Sequence, residues 1–237
     1  MDSGGVNMES VRMRLQAVRQ RIVQAERCYG RSPGTVALLA VSKTWPTSAI
    51  QVVHQEGQGI FGESYVQEAL PKIEALQGRD MEWHFIGPIQ SNKTSTIAQH
   101  FAWVHSVDRE QIAQRLSAQS QRVSPLNICL QVKMGDETQK AGVDVSDQVT
   151  LRKLAHAISR LPHLKLRGLM VIPAPLQDFD TQRHAFRRVR EVFERLNEDG
   201  LDLDTLSMGM SNDLEAAIAE GSTLVRIGSA IFGERTP

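Results

Sequence analysis

The sequence predicts a closed parallel barrel of the (β/α)8 class, preceded by one extra helix, and three observations lead there. Eight short apolar runs alternate with amphipathic segments along 237 residues. A barrel of eight βα units needs about 200 to 250 residues, whereas a doubly wound open sheet usually carries fewer strands. The first run, Ala37-Leu38-Leu39-Ala40-Val41-Ser42-Lys43, is unbroken and lies between Pro33-Gly34 and Pro46, the pattern of a strand buried on both faces of a parallel sheet. It ends abruptly in a lysine, and the carboxyl ends of strands are where parallel barrels place their chemistry.

The elements follow in order. Between residues 6 and 29, Val11, Leu15, Val18, Ile22 and Ala25 recur at helical spacing among charges, one amphipathic helix outside the repeat. After Lys43, Thr47 is placed to cap a helix that runs to about residue 56. Gly57-Gln58-Gly59 then leads into a strand at 60–63. The segment Gly57 to Gly62 spells GxGxxG, but it follows a helix and enters a strand, the reverse of the dinucleotide-binding order, so its glycines are read as helix end and strand start. A helix at 64–77 buries Val66, Ala69, Leu70 and Ile73. Strands are then expected at 82–86, 102–106, 126–133, 166–172, 203–208 and 222–227. Helices are expected near 91–100, 109–121, 147–160, 178–198 and 212–220, with a loop through Gly135, Asp136 and Gly142. The whole is expected to be one domain over residues 1–237, with the barrel from about 35 to 233.

Composition narrows the function. Lysine plus arginine equals aspartate plus glutamate, 27 against 27, so no global field draws the chain to nucleic acid or an anionic membrane, and an anionic ligand must be held locally. Cys28 and Cys129 form no CxxC and no metal-ligand spacing with the seven histidines, as idle thiols of a reducing compartment would. The N-terminus lacks a basic segment followed by an apolar one, and no apolar run approaches membrane-spanning length. A cytoplasmic protein is therefore expected, with Asn92-Lys93-Thr94 an accidental glycosylation sequon.

Three strand ends carry chemistry. Lys43, against an apolar wall, loses solvation, which makes its amine neutral and nucleophilic more easily, as a Schiff-base lysine requires; the alternative is a lysine that ends a strand and snorkels to water. After the seventh strand, Met208-Gly209-Met210-Ser211 offers close backbone approach at Gly209 and a hydroxyl at Ser211. Asn212 begins a helix there, with Glu215 at capping-box spacing. After the eighth, Gly228-Ser229-Ala230 offers further amides and a hydroxyl. Small residues and helix starts at these two strand ends form the usual phosphate cradle of such barrels, although each loop singly is also an ordinary cap or turn. Arg226, among apolar neighbours in the last strand, needs an acceptor, and an ion pair with a neighbouring carboxylate is the competing explanation. A nucleophilic lysine, a phosphate cradle and an inward arginine together match the aldehyde, phosphate and ring nitrogen of pyridoxal 5'-phosphate.

The segments LLAVSKTWP, FGESYVQEAL, EWHFIGPIQSNK, LRGLMVIPAP and LSMGMSNDLEAAIAEGSTLVRIGSAIFG resemble the YggS/PROSC family of pyridoxal phosphate homeostasis proteins, from about residue 10 to 235. The resemblance implies a TIM-type barrel of fold type III, shared with the N-terminal part of alanine racemase. It implies the cofactor carried on Lys43, Arg226 against the pyridine nitrogen, and Ser211, Gly228 and Ser229 on the phosphate, with Met208, Gly209 and Ser64 completing the binding set. At the position of Ser64 the family commonly has asparagine. It further implies a carrier acting in pyridoxal phosphate and amino-acid balance, without an established reaction, for which pyridoxal phosphate-dependent apoenzymes are the candidate partners. Neutral charge and a self-sufficient barrel make a monomer the expectation.

The rival is a racemase-like enzyme using the same cofactor. Two-base racemization needs proton donors on both faces of the substrate carbon. In alanine racemase the opposite base is a tyrosine from a second domain, whereas this sequence ends directly after the last strand. Tyr29 and Tyr65 are the only tyrosines, and of these Tyr65 lies near a strand end. His84 and His105, inside strands, are expected to be hydrogen-bonded barrel residues. A cofactor-free lysine aldolase is the third alternative, and it leaves Arg226 unexplained.

Overall fold

The computed structural model describes residues 8–135 and 141–234. Helix α1 (Met8–Cys28) comes first and buries Val11, Leu15, Val18, Ile22 and Ala25, the stripe its spacing predicts; residues 6 and 7 lie outside the described residues. The α1 carboxylate of Glu26 is fully buried and accepts from the amides of Gly34 (2.9 Å) and Val36 (2.8 Å). It thereby fixes the chain just before the first strand.

The strands are β1 (Ala37–Val41), β2 (Ile60–Glu63), β3 (Glu82–Phe85), β4 (Trp103–Val107), β5 (Leu126–Lys133), β6 (Val143–Asp144), β7 (Leu164–Val171), β8 (Thr205–Ser207) and β9 (Leu224–Ile227). Their sheet order is β4-β3-β2-β1-β9-β8-β7-β5, and a β4–β5 pairing closes the ring. All pairings are parallel, so the barrel of eight strands is as expected. The two-residue β6 adds itself to β5 through Val132 and Lys133 inside what the sequence reads as a loop; Asp136 of that loop lies outside the described residues.

The helices between strands are α2 (Thr47–Gln55), α3 (Val66–Ala75), α4 (Thr94–His100), α5 (Glu110–Gln119), α6 (Gln148–Ser159), α7 (Phe179–Glu198) and α8 (Leu214–Ala219), and α9 (Ser229–Phe232) follows β9. Thr47 does not cap α2. Pro46 holds the cap position with no side-chain bond, its ring fixing the extended entry at φ −72°.

Side chains alternate along each strand, so every other residue faces the barrel axis. One side of the interior is apolar, with Leu39, Val41 and Leu224 packed beside Ala37, Ile60 and Ile86. Opposite them lie Trp103, Cys129 and Met170. The larger core fills the space between the sheet and its helices. Burial pushes the Cys129 thiol up to about 12, which leaves it protonated and inert; Cys28 is exposed, and neither cysteine is in a disulfide. Among the described residues no helix is long and apolar enough to cross a membrane.

Candidate functional site

At the carboxyl end of the barrel is a cavity of about 430 Å³. Val41 and Lys43 line it from β1 and the residues after it, Ser64 from the end of β2, and Ile86 from the end of β3. Ile172 and Pro173 contribute after β7, Met210 to Asp213 after β8, and Arg226, Gly228 and Ser229 from β9. Lys43 is the one lysine lining it among the described residues. Its placement follows from β1: Leu39, Val41 and Lys43 are two apart and share the inward face, and the last of them clears the packed layer.

The chain must turn sharply behind Lys43. Thr44 sits at φ 70°, a left-handed conformation unusual for a threonine, and its amide donates to the Glu68 carboxylate. On the outward face beneath this turn, Lys72 is almost fully buried. It donates to Ser42 O at 3.0 Å and to Glu63 Oε1 at 2.9 Å, and it also pairs with Glu68. Ser42 Oγ donates to Glu63 Oε1 at 2.7 Å. Burial pushes the Glu63 carboxyl up, against the pull of Lys72 and Ser42. The strained turn is thus held by a buried ion pair. Removing one partner of such a pair strands the other charge. We expect Lys72→Met to lose about 3 to 5 kcal/mol of stability in urea unfolding, and Glu63→Leu/Lys72→Met to recover most of it. A single variant within about 1 kcal/mol of the parent would show that the pair does not hold the turn.

The two loops expected to form an anion cradle do come together. Ser211 Oγ and Ser229 Oγ are 3.2 Å apart, and the Ala230 amide points at Ser211 Oγ from 3.4 Å, a long contact that an anionic oxygen would outcompete. Helix α1 braces the first loop: Arg21 grips both oxygens of Glu215 (2.8 and 2.9 Å) and reaches Ser211 O at 3.1 Å. The expected Asn212–Glu215 capping box is therefore not formed. Glu215 is drawn to Arg21, and the cap position of α8 is Asp213, whose Oδ1 accepts from the Met210 amide at 2.6 Å. Burial raises the Asp213 carboxyl above its usual range, with that amide and Arg226 opposing.

Of the sequence-predicted residues, Lys43, Ser64, Ser211, Arg226, Gly228 and Ser229 line the cavity, and Met208 and Gly209 do not. Met208 is wholly buried in the core behind the sheet. Gly209, at φ 100°, packs so closely that a Cβ would stand 2.7 Å from the Ala217 methyl, so its service is to let α8 lie against the strand ends.

Arg226 is 4 % exposed. Nη1 donates to Ser207 O (2.6 Å) and Ser207 Oγ (2.8 Å), and Nη2 to Val171 O (2.8 Å). Its hydrogen-bond acceptors are therefore carbonyls and a hydroxyl, and the carboxylate partner weighed from the sequence acts only at longer range, as Asp213. Burial lowers the guanidinium to about 10, still charged at neutral pH. Tyr65 is 54 % exposed and lines a separate depression with Pro88 and Lys93, while Tyr29 stacks on Phe179; neither lines the cavity.

Lys43, the facing hydroxyls of Ser211 and Ser229, and the buried Arg226 converge on one mouth of a closed parallel barrel, a barrel of the alanine racemase type, and residues 13–236 match the family of the alanine racemase N-terminal domain. Within it the chain belongs to the pyridoxal phosphate homeostasis proteins. The protein of that name from Pseudomonas aeruginosa is 53 % identical over 229 residues, covering 96 % of this chain and 97 % of the relative. PipY of Synechococcus elongatus PCC7942, solved with PLP bound, superposes with a TM-score of 0.77 at 37 % identity, over 90 % of this chain and all of PipY. Alanine racemase from Corynebacterium glutamicum, 16 % identical with a TM-score of 0.66 over 93 % of this chain and 62 % of its own, shares the fold.

Proposed function

We propose that this chain is a single-domain carrier of pyridoxal 5'-phosphate, bound through Lys43, that serves the homeostasis of the cofactor and the balance of amino acids without turning them over. The observation that carries this is the convergence on one cavity of Lys43, the paired hydroxyls of Ser211 and Ser229, and the buried guanidinium of Arg226. The donor set fits the group: a primary amine, a hydroxyl pair with a nearby amide for an anion, and a fixed cation for a ring acceptor, beside the apolar Val41, Ile86 and Ile172. The relatives named for pyridoxal phosphate homeostasis and the PLP-bound PipY support the same assignment.

Bound there, the cofactor would supply an aldehyde, the electrophile that a primary amine at this position is suited to hold. Lys43 presents that amine from a turn that cannot relax without breaking the Ser42–Glu63–Lys72 network. Ser211, Gly228, Ser229 and Ala230 receive the phosphate. Ser64, buried just after β2, also lines the cavity, with a hydroxyl that reaches less far than an amide would. Arg226 donates to the ring nitrogen and keeps its own proton, since a guanidinium has no reason to release one to a pyridine. An Arg226 that retains its proton would leave the ring a poorer electron sink than a protonated one, and so would not promote proton removal from an amino acid. Racemization further needs a proton donor facing Lys43 across the substrate carbon, a place neither Tyr29 nor Tyr65 takes among the described residues. We read the protein as a cytoplasmic monomer that hands its cofactor to dependent apoenzymes, in keeping with its neutral charge.

Incubating the loaded protein with L- and D-alanine in deuterated water separates carrier from racemase. We expect α-proton exchange no faster than with free pyridoxal phosphate, since absence of one positioned acid or base costs about 10² to 10⁴ in rate. Rapid exchange that vanishes in Tyr65→Phe would favour the racemase.

A further inference from the structure

A line of polar side chains crosses the barrel beneath the cavity. Arg226 Nη1 meets Ser207 Oγ at 2.8 Å, Ser207 Oγ meets His105 Nδ1 at 2.8 Å, His105 Nε2 meets His84 Nδ1 at 2.9 Å, and His84 Nε2 meets Glu82 Oε1 at 2.9 Å. Strands β4 and β8 are not neighbours in the sheet, so the Ser207–His105 bond spans the interior. His84, His105, Ser207 and Arg226 are buried, whereas the Glu82 side chain is 46 % exposed at the opposite end of the barrel.

With both histidine rings neutral, the two ends set the direction of every bond between them. A guanidinium only donates and an ionised carboxylate only accepts. Ser207 Oγ therefore accepts from Arg226 and gives its own proton to His105 Nδ1. His105 must then carry its proton on Nε2 and donate to His84 Nδ1, and His84 in turn donates from Nε2 to Glu82. The surroundings agree with both rings being neutral. Burial lowers His84, and it lowers His105 well below the usual range, with His84 and Arg226 adding to the effect. The His84 bond holds the Glu82 carboxyl below its usual range. Trp103 stacks on His84, and the Arg167 guanidinium lies 4.7 Å from the Trp103 ring centre; Cys129 and Asp213 are the further ionisable groups acting on Arg226.

We propose that Ser207, His105, His84 and Glu82 are positioning residues that form a one-way hydrogen-bonded relay, and that this relay sets how strongly Arg226 donates to the ring nitrogen of the bound cofactor. The inference rests on the assignment of Arg226 made above. Aligned hydrogen bonds polarise one another, so the negative charge at Glu82 is felt at Arg226 and weakens the guanidinium as a donor. Breaking the relay anywhere strengthens the bond to the ring nitrogen.

Two measurements test this. In ¹⁵N-labelled protein without cofactor at neutral pH, long-range ¹H–¹⁵N spectra should show both His84 and His105 with the proton on Nε2; an Nδ1–H tautomer or an imidazolium at either ring overturns the relay. With ring-¹⁵N pyridoxal phosphate bound, Glu82→Gln and Ser207→Ala should both move the ring-nitrogen resonance toward the pyridinium position, and Ser207→Thr should leave it near the parent value. Glu82 is exposed and far from the cavity, so a purely structural role would not move that resonance. An unchanged resonance in Glu82→Gln defeats the proposed coupling. Failure of the parent protein to bind the cofactor would refute the functional assignment instead, and with it the coupling, while the histidine tautomers would still decide the relay by themselves.

Discussion

Pyridoxal without its phosphate should bind this protein about a thousand-fold or more weakly than pyridoxal 5'-phosphate. The expectation comes from the meeting of two loops that are 18 residues apart in sequence, where Ser211 Oγ and Ser229 Oγ lie 3.2 Å from each other and the Ala230 amide faces the same spot. Three charge-assisted hydrogen bonds at the low end of about 1.5 to 3 kcal/mol each amount to roughly 4.5 kcal/mol, and each 1.4 kcal/mol is tenfold in affinity. The loops are held by contacts outside the cavity, Arg21 to Glu215 and Asp213 to the Met210 amide, so little ordering cost remains for the ligand. Isothermal titration of the cofactor-free protein with the two forms measures the difference. Equal affinities would remove the cradle from the site, and Ser211→Ala/Ser229→Ala should narrow the gap toward that outcome.

Lys43→Ala should abolish covalent retention of the cofactor while leaving the fold untouched. Lys43 supplies the only cavity-lining amine among the described residues, and its side chain is half-buried at a rim. A substitution of that kind lies within about 0.5 kcal/mol in stability, or about 2 °C in melting temperature for a chain of this size. Lys43→Arg separates charge from chemistry, since it keeps the cation and loses the nucleophile. Both variants should lose the visible absorption of the loaded protein, and both should retain weak binding through the phosphate. A variant that stays yellow through dialysis would move the attachment elsewhere.

These effects hang on residues that the sequence exposes unevenly. The strands were legible because each is a short apolar run between turn residues, and once eight of them are placed in a ring, Lys43, Ser211, Arg226, Gly228 and Ser229 fall at one mouth. The capping details were not legible. Asn212 and Glu215 have the spacing of a capping box, but Arg21, from a helix some 190 residues earlier, takes Glu215 away, and no local pattern announces a tertiary competitor. The resemblance puts Met208 in the binding set, yet its side chain is buried in the core behind the sheet, and successive residues at a strand end face opposite sides.

The supporting groups were the least visible. Lys72 falls beside the apolar stripe of α3 and reads as a solvated charge. Its partner Glu63 at the end of β2 was the available hint, a carboxylate in an otherwise apolar strand. Glu82 and His84 share a face by the two-residue period of β3, but their link through His105 to Ser207 depends on which strands lie opposite one another when the barrel closes. That follows from the closing pairing of β4 with β5 and from the stagger of the strands, neither of which is written in any one segment.

Borohydride reduction of the cofactor-loaded protein, followed by proteolysis and mass mapping, reads the attachment point itself. The pyridoxyl group should be found on the peptide containing Lys43 and be absent from the Lys43→Arg protein treated in the same way; a label on Lys93 or Lys133 instead, or none on a protein that remains yellow, would contradict the assignment of Lys43.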